Sequence, residues 1–143
     1  MFDQNTQCSC STVQKKKYFH KISGPIYDRF DLVLEMAPLK QEDFKEENPR
    51  SSEDMKKKVL QARNRQKKLN TYLTPQDIKT TCNLKPEAKK LLNDALQTLH
   101  LSGRRYIKTI KTARTIADLD NSVSIETKHI AEALNYRGTC FKY

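Results

Sequence analysis

The sequence predicts a mainly α-helical protein, a bundle of four to five helices, and three observations carry that reading. Apolar residues recur at three- and four-residue spacing along most of the chain after residue 51, the period of a helix that buries one face. Only 3 glycines stand among 143 residues of which 31% are charged, a composition poor in the turns that β architectures need. Hydroxyl residues and prolines fall where helices start, at Ser51, Thr74-Pro75, Pro86, Ser102 and Ser124.

In chain order, residues 1–10 are polar, lack periodicity and are expected to form a disordered tail. Ser11 or Thr12 can cap a short helix through about Ile22, which Ser23-Gly24-Pro25 ends. Pro25 suits the first turn of another short helix carrying Tyr27, Asp28 and Arg29. Leu32, Val33 and Leu34 then read as a strand within residues 31–36, and Pro38 stops it. The rest of the sequence provides no sheet for that strand, which suggests the end of a larger α/β domain. Gln41–Glu47 reads as a short acidic turn before the Asn48-Pro49 break.

Everything beyond is helical in pattern. Ser51 or Ser52 caps a long helix to about Leu69, with Met55, Val59, Ala62 and Leu69 inward. Thr74-Pro75 opens a short helix through Thr80. Pro86 opens the next, whose Ala88, Leu91, Leu92, Ala95 and Leu99 give a broad apolar stripe. Ser102–Leu119 follows. Ser124 caps the last helix, with Ile130, Ala133 and Leu134 inward and Gly138 ending it. Short links between amphipathic helices imply packing as a bundle.

Size and polarity bound the possibilities. A chain of 143 residues with 36% hydrophobic content and a mean hydropathy of −0.82 suits one modest domain, or a domain with a tail. No apolar run approaches the ~20 residues needed to span a bilayer. The N-terminus has no secretory apolar stretch, so a cytoplasmic location without a membrane partner is expected. The net charge of +10 is concentrated: Lys56 to Lys68 holds seven Lys/Arg and no acid, whereas Glu42 to Glu47 holds four acids. That bias reads either as contact with a polyanion, through Lys56, Lys57, Arg63 and Arg65 among others, or as a solvated lysine-rich face.

The four cysteines do not form a disulfide framework. Cys8 and Cys10 make one C-x-C pair, a possible half-site for a metal that needs about four ligands. His20 is the sole nearby helper. Cys82 reads as core filler and Cys140 as a tail thiol. His129 and His100 lack companion ligands and read as core or capping residues. A phosphate-binding loop needs a Gly-x4-Gly-Lys-Ser/Thr frame, and glycines stand only at 24, 103 and 138. The chain on its own is therefore not expected to hydrolyse ATP, nor to carry a cofactor.

The densest signal is LSGRRYIKTIKTARTIADLDN, Leu101 to Asn121. Tyr106, Ile110, Ala113 and Ala117 form an apolar stripe, while Arg104, Lys108 and Lys111 form a basic one at the same spacing. Guanidinium groups fit phosphate oxygens through a planar fork of donors. Arg114 has Asp118 at i+4 as a sufficient partner.

The string LSxRxYxxxxxxARTIADLxxSxxIxxxHIAEALxYR, Leu101 through Arg137, resembles the C-terminal segment of the Mg-chelatase-like AAA+ ATPases of the competence type (the ComM/YifB family). A second match stands at KISGPIYDRFDLVLEM, Lys21 to Met36, where the family has a similar ISGPxxDRxDLxxEV. The resemblance covers most of the chain. It implies that residues 11–38 end an AAA+ nucleotide-binding core and that residues 39–143 form its helical lid. ATP and Mg2+ would act only in the full-length protein, a homo-hexamer that remodels DNA in recombination or natural transformation. Arg29, in Tyr-Asp-Arg-Phe-Asp, takes the place of an arginine finger acting in trans on a neighbour's nucleotide. Arg104 takes that of the sensor-2 residue, reading nucleotide in cis. Arg63 and Gln66 match the long lid helix, for interdomain packing or nucleotide contact. In such relatives a C-x-C closes a cysteine cluster begun upstream, which leaves Cys8 and Cys10 as half of it. The residues alone leave other readings open. Arg29 can pair with Asp28 or Asp31 on the surface, and Arg104 can be a solvated helix-start residue. The whole can also be an autonomous basic DNA-binding or adaptor module, or the lid of a true magnesium-chelatase subunit.

Overall fold

The computed structural model describes residues 9–19, 21, 24–27, 29–34, 36, 51–66 and 70–137. It is mainly helical, as the apolar period predicts. The elements are α1 (Thr12–Phe19), α2 (Gly24–Tyr27), α3 (Ser52–Arg65), a 3-10 turn (Asn70–Tyr72), α4 (Pro75–Thr81), α5 (Pro86–Thr98), α6 (Gly103–Leu119) and α7 (Thr127–Asn135). Gln41–Glu47, Lys67, Lys68, Leu69, Gly138, Cys8 and Cys140 lie outside the described residues.

The sequence explains most helix starts. Ser51 accepts from Asp54 N at 3.2 Å and opens α3 with two acids in the first turn. Thr74 and Asp77 form a reciprocal capping box around Pro75 at the head of α4. Pro86 supplies the preset φ at the head of α5, where Lys85 makes no side-chain cap. The last helix corrects the expectation: Glu126, not Ser124, is its N-cap, and His129 answers as the third residue of the box. Ser124 stands two residues too early because Ile125 is held in a bridge beside Leu84.

Two stops are of one kind. After α5, His100 takes a left-handed φ of 47°, Leu101 N bonds Leu96 O at 3.1 Å and His100 N bonds Gln97 O at 3.4 Å. After α6, Asn121 has φ 60°, and Ser122 N bonds Ala117 O at 2.8 Å. These are Schellman closures, which satisfy the last carbonyls of a helix.

Helix α6 is the axis of the bundle. Its alanines Ala113 and Ala117 are fully buried, as are Ala88 on α5 and Ile130 on α7. Small residues at these points let α7 pack closely on both α5 and α6 around Leu92, Ile110 and Ile125. Burying a side chain such as Leu92 or Ile130 contributes about 1.5–3 kcal/mol. The loops before α5 and α7 are joined by one parallel bridge, Leu84 to Ile125, with Lys85 N on Ile125 O at 3.0 Å and Ile125 N on Asn83 O at 2.7 Å.

Two further expectations need correcting. Leu32, Val33 and Leu34 form no strand; they find no sheet edge among the described residues, and Val33 N instead bonds Tyr136 O at 2.8 Å. Met55 and Val59 do not point into a core, being 51% and 44% exposed. On α3 only Ala62 is buried, so the helix docks by its C-terminal half and its first turns project outward.

Candidate functional site

Helix α6 starts where Ser102 adopts extended backbone and its hydroxyl accepts from Arg105 N at 3.2 Å. Gly103 and Arg104 are thereby the first two helical residues, whose N–H groups have no carbonyl four residues back to bond. No acid stands in this turn. The positive helix end has no acid of its own turn to offset it, and the exposed Arg104 adds a guanidinium beside it, an arrangement that attracts anions.

The neighbours of Arg104 on α6 are engaged elsewhere. Arg105 donates Nη1 to the Arg137 carbonyl at 3.1 Å, fastening the end of α7. Lys108, one turn after Arg104, donates Nζ to the Arg29 carbonyl at 2.6 Å and pairs with Asp31 Oδ1 at 2.9 Å. Its side chain is 18% exposed. The expected exposed basic stripe of Arg104, Lys108 and Lys111 is thus broken, because Lys108 neutralises Asp31 while Lys111 is half-buried. Phe30 and Asp31 line a small cleft with Arg105, Lys108, Thr109 and Arg137 where the N-terminal segment meets α6.

Arg29 is held by its backbone and exposed by its side chain. Its carbonyl is the acceptor for Lys108, and its Nη1 donates to the Pro25 carbonyl at 3.1 Å. Of the two acids expected as surface partners, Asp31 binds Lys108 and Asp28 lies outside the described residues. The Arg29 backbone is thus tied to helix α6 through Lys108, one turn beyond Arg104, although Arg29 and Arg104 are 75 positions apart in sequence.

The other candidate cations sit apart from this face. Lys56, Lys57, Arg63 and Arg65 are exposed on α3, with Lys57 Nζ 3.9 Å from Asp54 in a solvated pair of small energy. Cys10 is exposed, and among the described residues no group of three or more His, Cys, Asp or Glu is placed to hold a metal ion.

Sequence reasoning missed how much converges on Asp118. Its Oδ1 accepts Arg114 Nε at 3.0 Å and Nη2 at 2.7 Å, the expected i,i+4 pair, now buried. Its Oδ2 accepts Gln66 Nε2 at 2.8 Å and Asn70 Nδ2 at 3.0 Å. Arg114 also binds the Ser122 and Val123 carbonyls at 2.6 and 2.9 Å. One carboxylate thus joins α3, the 3-10 turn, α6 and the loop that follows. The Gln66 amide is therefore engaged within the bundle, on a buried carboxylate of α6. Cys82 lies against this network, where burial pushes its thiol up to about 11.

His129 is a core capping residue, 1% exposed, whose Nδ1 accepts Glu126 N at 3.0 Å. That bond leaves the proton on Nε2, 3.2 Å from Asp120 Oδ2. Hydrogen bonds from Lys128 and then from His129 hold the Asp120 carboxyl below its ordinary range.

Residues 49–137 match the family described as magnesium chelatase, subunit ChlI C-terminal, and residues 1–44 match magnesium chelatase, subunit ChlI. Competence protein ComM of Haemophilus influenzae is 38% identical over 133 residues, 89% of this chain and 26% of the relative. The uncharacterized protein YifB of Escherichia coli K12 is 38% identical over 141 residues, 94% of this chain and 28% of the relative. An uncharacterized protein of Mycobacterium bovis is 27% identical over 143 residues. The chain spans about a quarter of the length of the curated relatives it matches. With both of its segments matched in order, the chain belongs to the Mg-chelatase-like family, as a homologue of ComM and YifB with a ChlI C-terminal domain.

Proposed function

We propose that residues 39–143 are the lid of a Mg-chelatase-like AAA+ ATPase and that residues 11–38 end its nucleotide-binding core. Closure of the lid brings Arg104 to the phosphates of ATP bound in the same subunit. Arg29 reaches the nucleotide of the neighbouring subunit in a homo-hexameric ring and offsets charge that develops as the γ-phosphate leaves. The observation that carries this reading is the Lys108 clamp, which unites the Arg29 segment with the helix headed by Arg104. In this reading ATP and Mg2+ are bound by the core. The name of the Haemophilus relative, a competence protein, favours DNA as the substrate of the ring, in recombination or natural transformation.

The test is steady-state ATP turnover by the polypeptide that carries both a phosphate-binding core and this chain, unchanged or with Arg29→Ala or Arg104→Ala. Nucleotide affinity and assembly state are measured alongside. Loss of an arginine finger costs on the order of 10³–10⁵ in turnover while rings still assemble. Turnover that survives both substitutions would make the two arginines surface residues.

A second reading is favoured by the exposed cations of α3, Lys56, Lys57, Arg63 and Arg65. A basic helical module can bind DNA without a core. It predicts that this chain alone binds duplex DNA with an affinity that falls steeply with salt. Failure to bind at low salt removes it.

A further inference from the structure

Lys108 is placed unlike a surface lysine. It sits in the middle of a helix, largely covered, with its ammonium between a backbone carbonyl at 2.6 Å and a carboxylate at 2.9 Å. Both acceptors belong to one short segment, residues 29–34, remote in sequence, outside any helix and without a sheet partner among the described residues. The Val33 N to Tyr136 O bond at 2.8 Å ties the far end of that segment to the close of α7. Tyr136 and Arg137 are in turn linked to α6 through Arg105.

We infer that Lys108 is a positioning residue that makes the backbone of Arg29 follow helix α6, so that the lid carrying Arg104 also sets where Arg29 points. The clamp grips the Arg29 carbonyl and the Asp31 carboxylate, and the exposed guanidinium, whose Nη1 bonds the Pro25 carbonyl at 3.1 Å, has further donors to offer a phosphate. Arg104 and Lys108 are one turn apart on a continuous helix, so a shift of one end moves the other. Phosphate sensed at Arg104 in one subunit then adjusts the arginine offered to the next. The inference rests on the roles proposed for Arg29 and Arg104.

The experiment uses the ATPase containing both core and lid, with Lys108→Met, Lys108→Arg, Arg29→Ala and the double variant Lys108→Met/Arg29→Ala. Lys108→Met is expected to lower kcat on the order of 10- to 100-fold, the scale of a misplaced catalytic group, with ATP affinity and ring assembly kept. Lys108→Arg, whose longer fork still reaches both oxygens, restores most of the rate. The double variant is expected to turn over no more slowly than Arg29→Ala alone, because Lys108 acts through Arg29. If Arg29→Ala is inactive but Lys108→Met is unchanged, or its loss multiplies that of Arg29→Ala, the coupling is wrong and the finger stands. If Arg29→Ala turns over normally, the finger reading falls and the coupling with it. Unfolding midpoints of the variants separate loss of position from loss of fold: a Lys108→Met defect that tracks a lowered midpoint and resists rescue by arginine overturns the inference.

Discussion

Arg114 and Asp118 face each other inside the bundle, the Nη2 of one 2.7 Å from the Oδ1 of the other, with side chains only 7% and 8% exposed. Neither charge is left with an idle face. The guanidinium holds two loop carbonyls and the carboxylate accepts two side-chain amides. Such a satisfied pair is far more costly to break than to have, since removing one partner strands the other away from water. Asp118→Ala is therefore expected to destabilise the chain by about 3–5 kcal/mol in urea unfolding. Asp118→Asn, which keeps some of the acceptors, loses less. Replacing both residues by apolar ones of similar volume, Arg114→Met with Asp118→Leu, should recover much of the loss.

The same carboxylate is what retains α3. That helix buries Ala62 alone, so its hold on the bundle depends on the Gln66 and Asn70 amides at 2.8 and 3.0 Å from Asp118 Oδ2. Gln66→Ala removes one charge-assisted hydrogen bond, worth about 1.5–3 kcal/mol. Amide exchange followed by mass spectrometry is expected to speed up in residues 52–66 while α5, α6 and α7 keep their protection. A uniform change across the chain would mean that α3 unfolds only with everything else.

The titrating groups predict a stability plateau bounded on both sides. The Asp120 carboxyl is held below its ordinary range by Lys128 and His129, so its contribution is complete above about pH 4 and disappears as pH falls through the folded value. Lys128 is shifted upward by Asp120, so the same pair weakens again as pH rises past about 10.4. Both groups are exposed, and the pair contributes little at high salt. Cys82 adds a second alkaline slope. Its thiol, raised to about 11 by burial, stays neutral where an unfolded cysteine ionises, so stability declines from about pH 8.5 upward. Peptide-mapped alkylation at pH 8 should accordingly label Cys82 at the rate at which the chain opens. Labelling as fast as a model thiol would show that it is not enclosed.

The helical elements were legible because their signals are local. The Thr74-Pro75-Asp77 box, Pro86 and the apolar period of Ser102–Leu119 each lie within a few residues and need no tertiary partner to be read. Met55 and Val59 carry the same inward period yet lie exposed, since periodicity tells which face is apolar and not whether anything covers it. The clamp on Arg29 was illegible for another reason. Lys108 and the Arg29 carbonyl are 79 residues apart, and an acceptor on the main chain leaves no trace in side-chain chemistry. The hub at Asp118 was half visible: its i,i+4 arginine is in the sequence, whereas Gln66 and Asn70 arrive through packing. The strand expected at Leu32–Leu34 failed because β-propensity describes a residue that fits a sheet and supplies no neighbour.

His100 hides the end of α5 from a sequence reading, because a left-handed stop is normally announced by glycine. At φ 47° its Cβ crowds the following carbonyl, a cost of about 1–2 kcal/mol that the Leu101 to Leu96 bond offsets. The side chain is exposed, so little packing is lost when it is removed. His100→Gly relieves the crowding but adds freedom to the unfolded chain, and the two effects together should raise stability by about 0.5–1 kcal/mol. Asn121, at φ 60° after α6, is a residue that tolerates this region, and Asn121→Gly is expected to change stability by no more than a few tenths of a kcal/mol. His100→Val should do the opposite of His100→Gly, since a β-branched residue fits the left-handed region worst. Urea midpoints at one pH order the variants. If His100→Gly ranks below the natural chain, the imidazole makes a stabilising contact that outweighs its backbone strain, and the helix stop is held by the side chain as well as by the two closing hydrogen bonds.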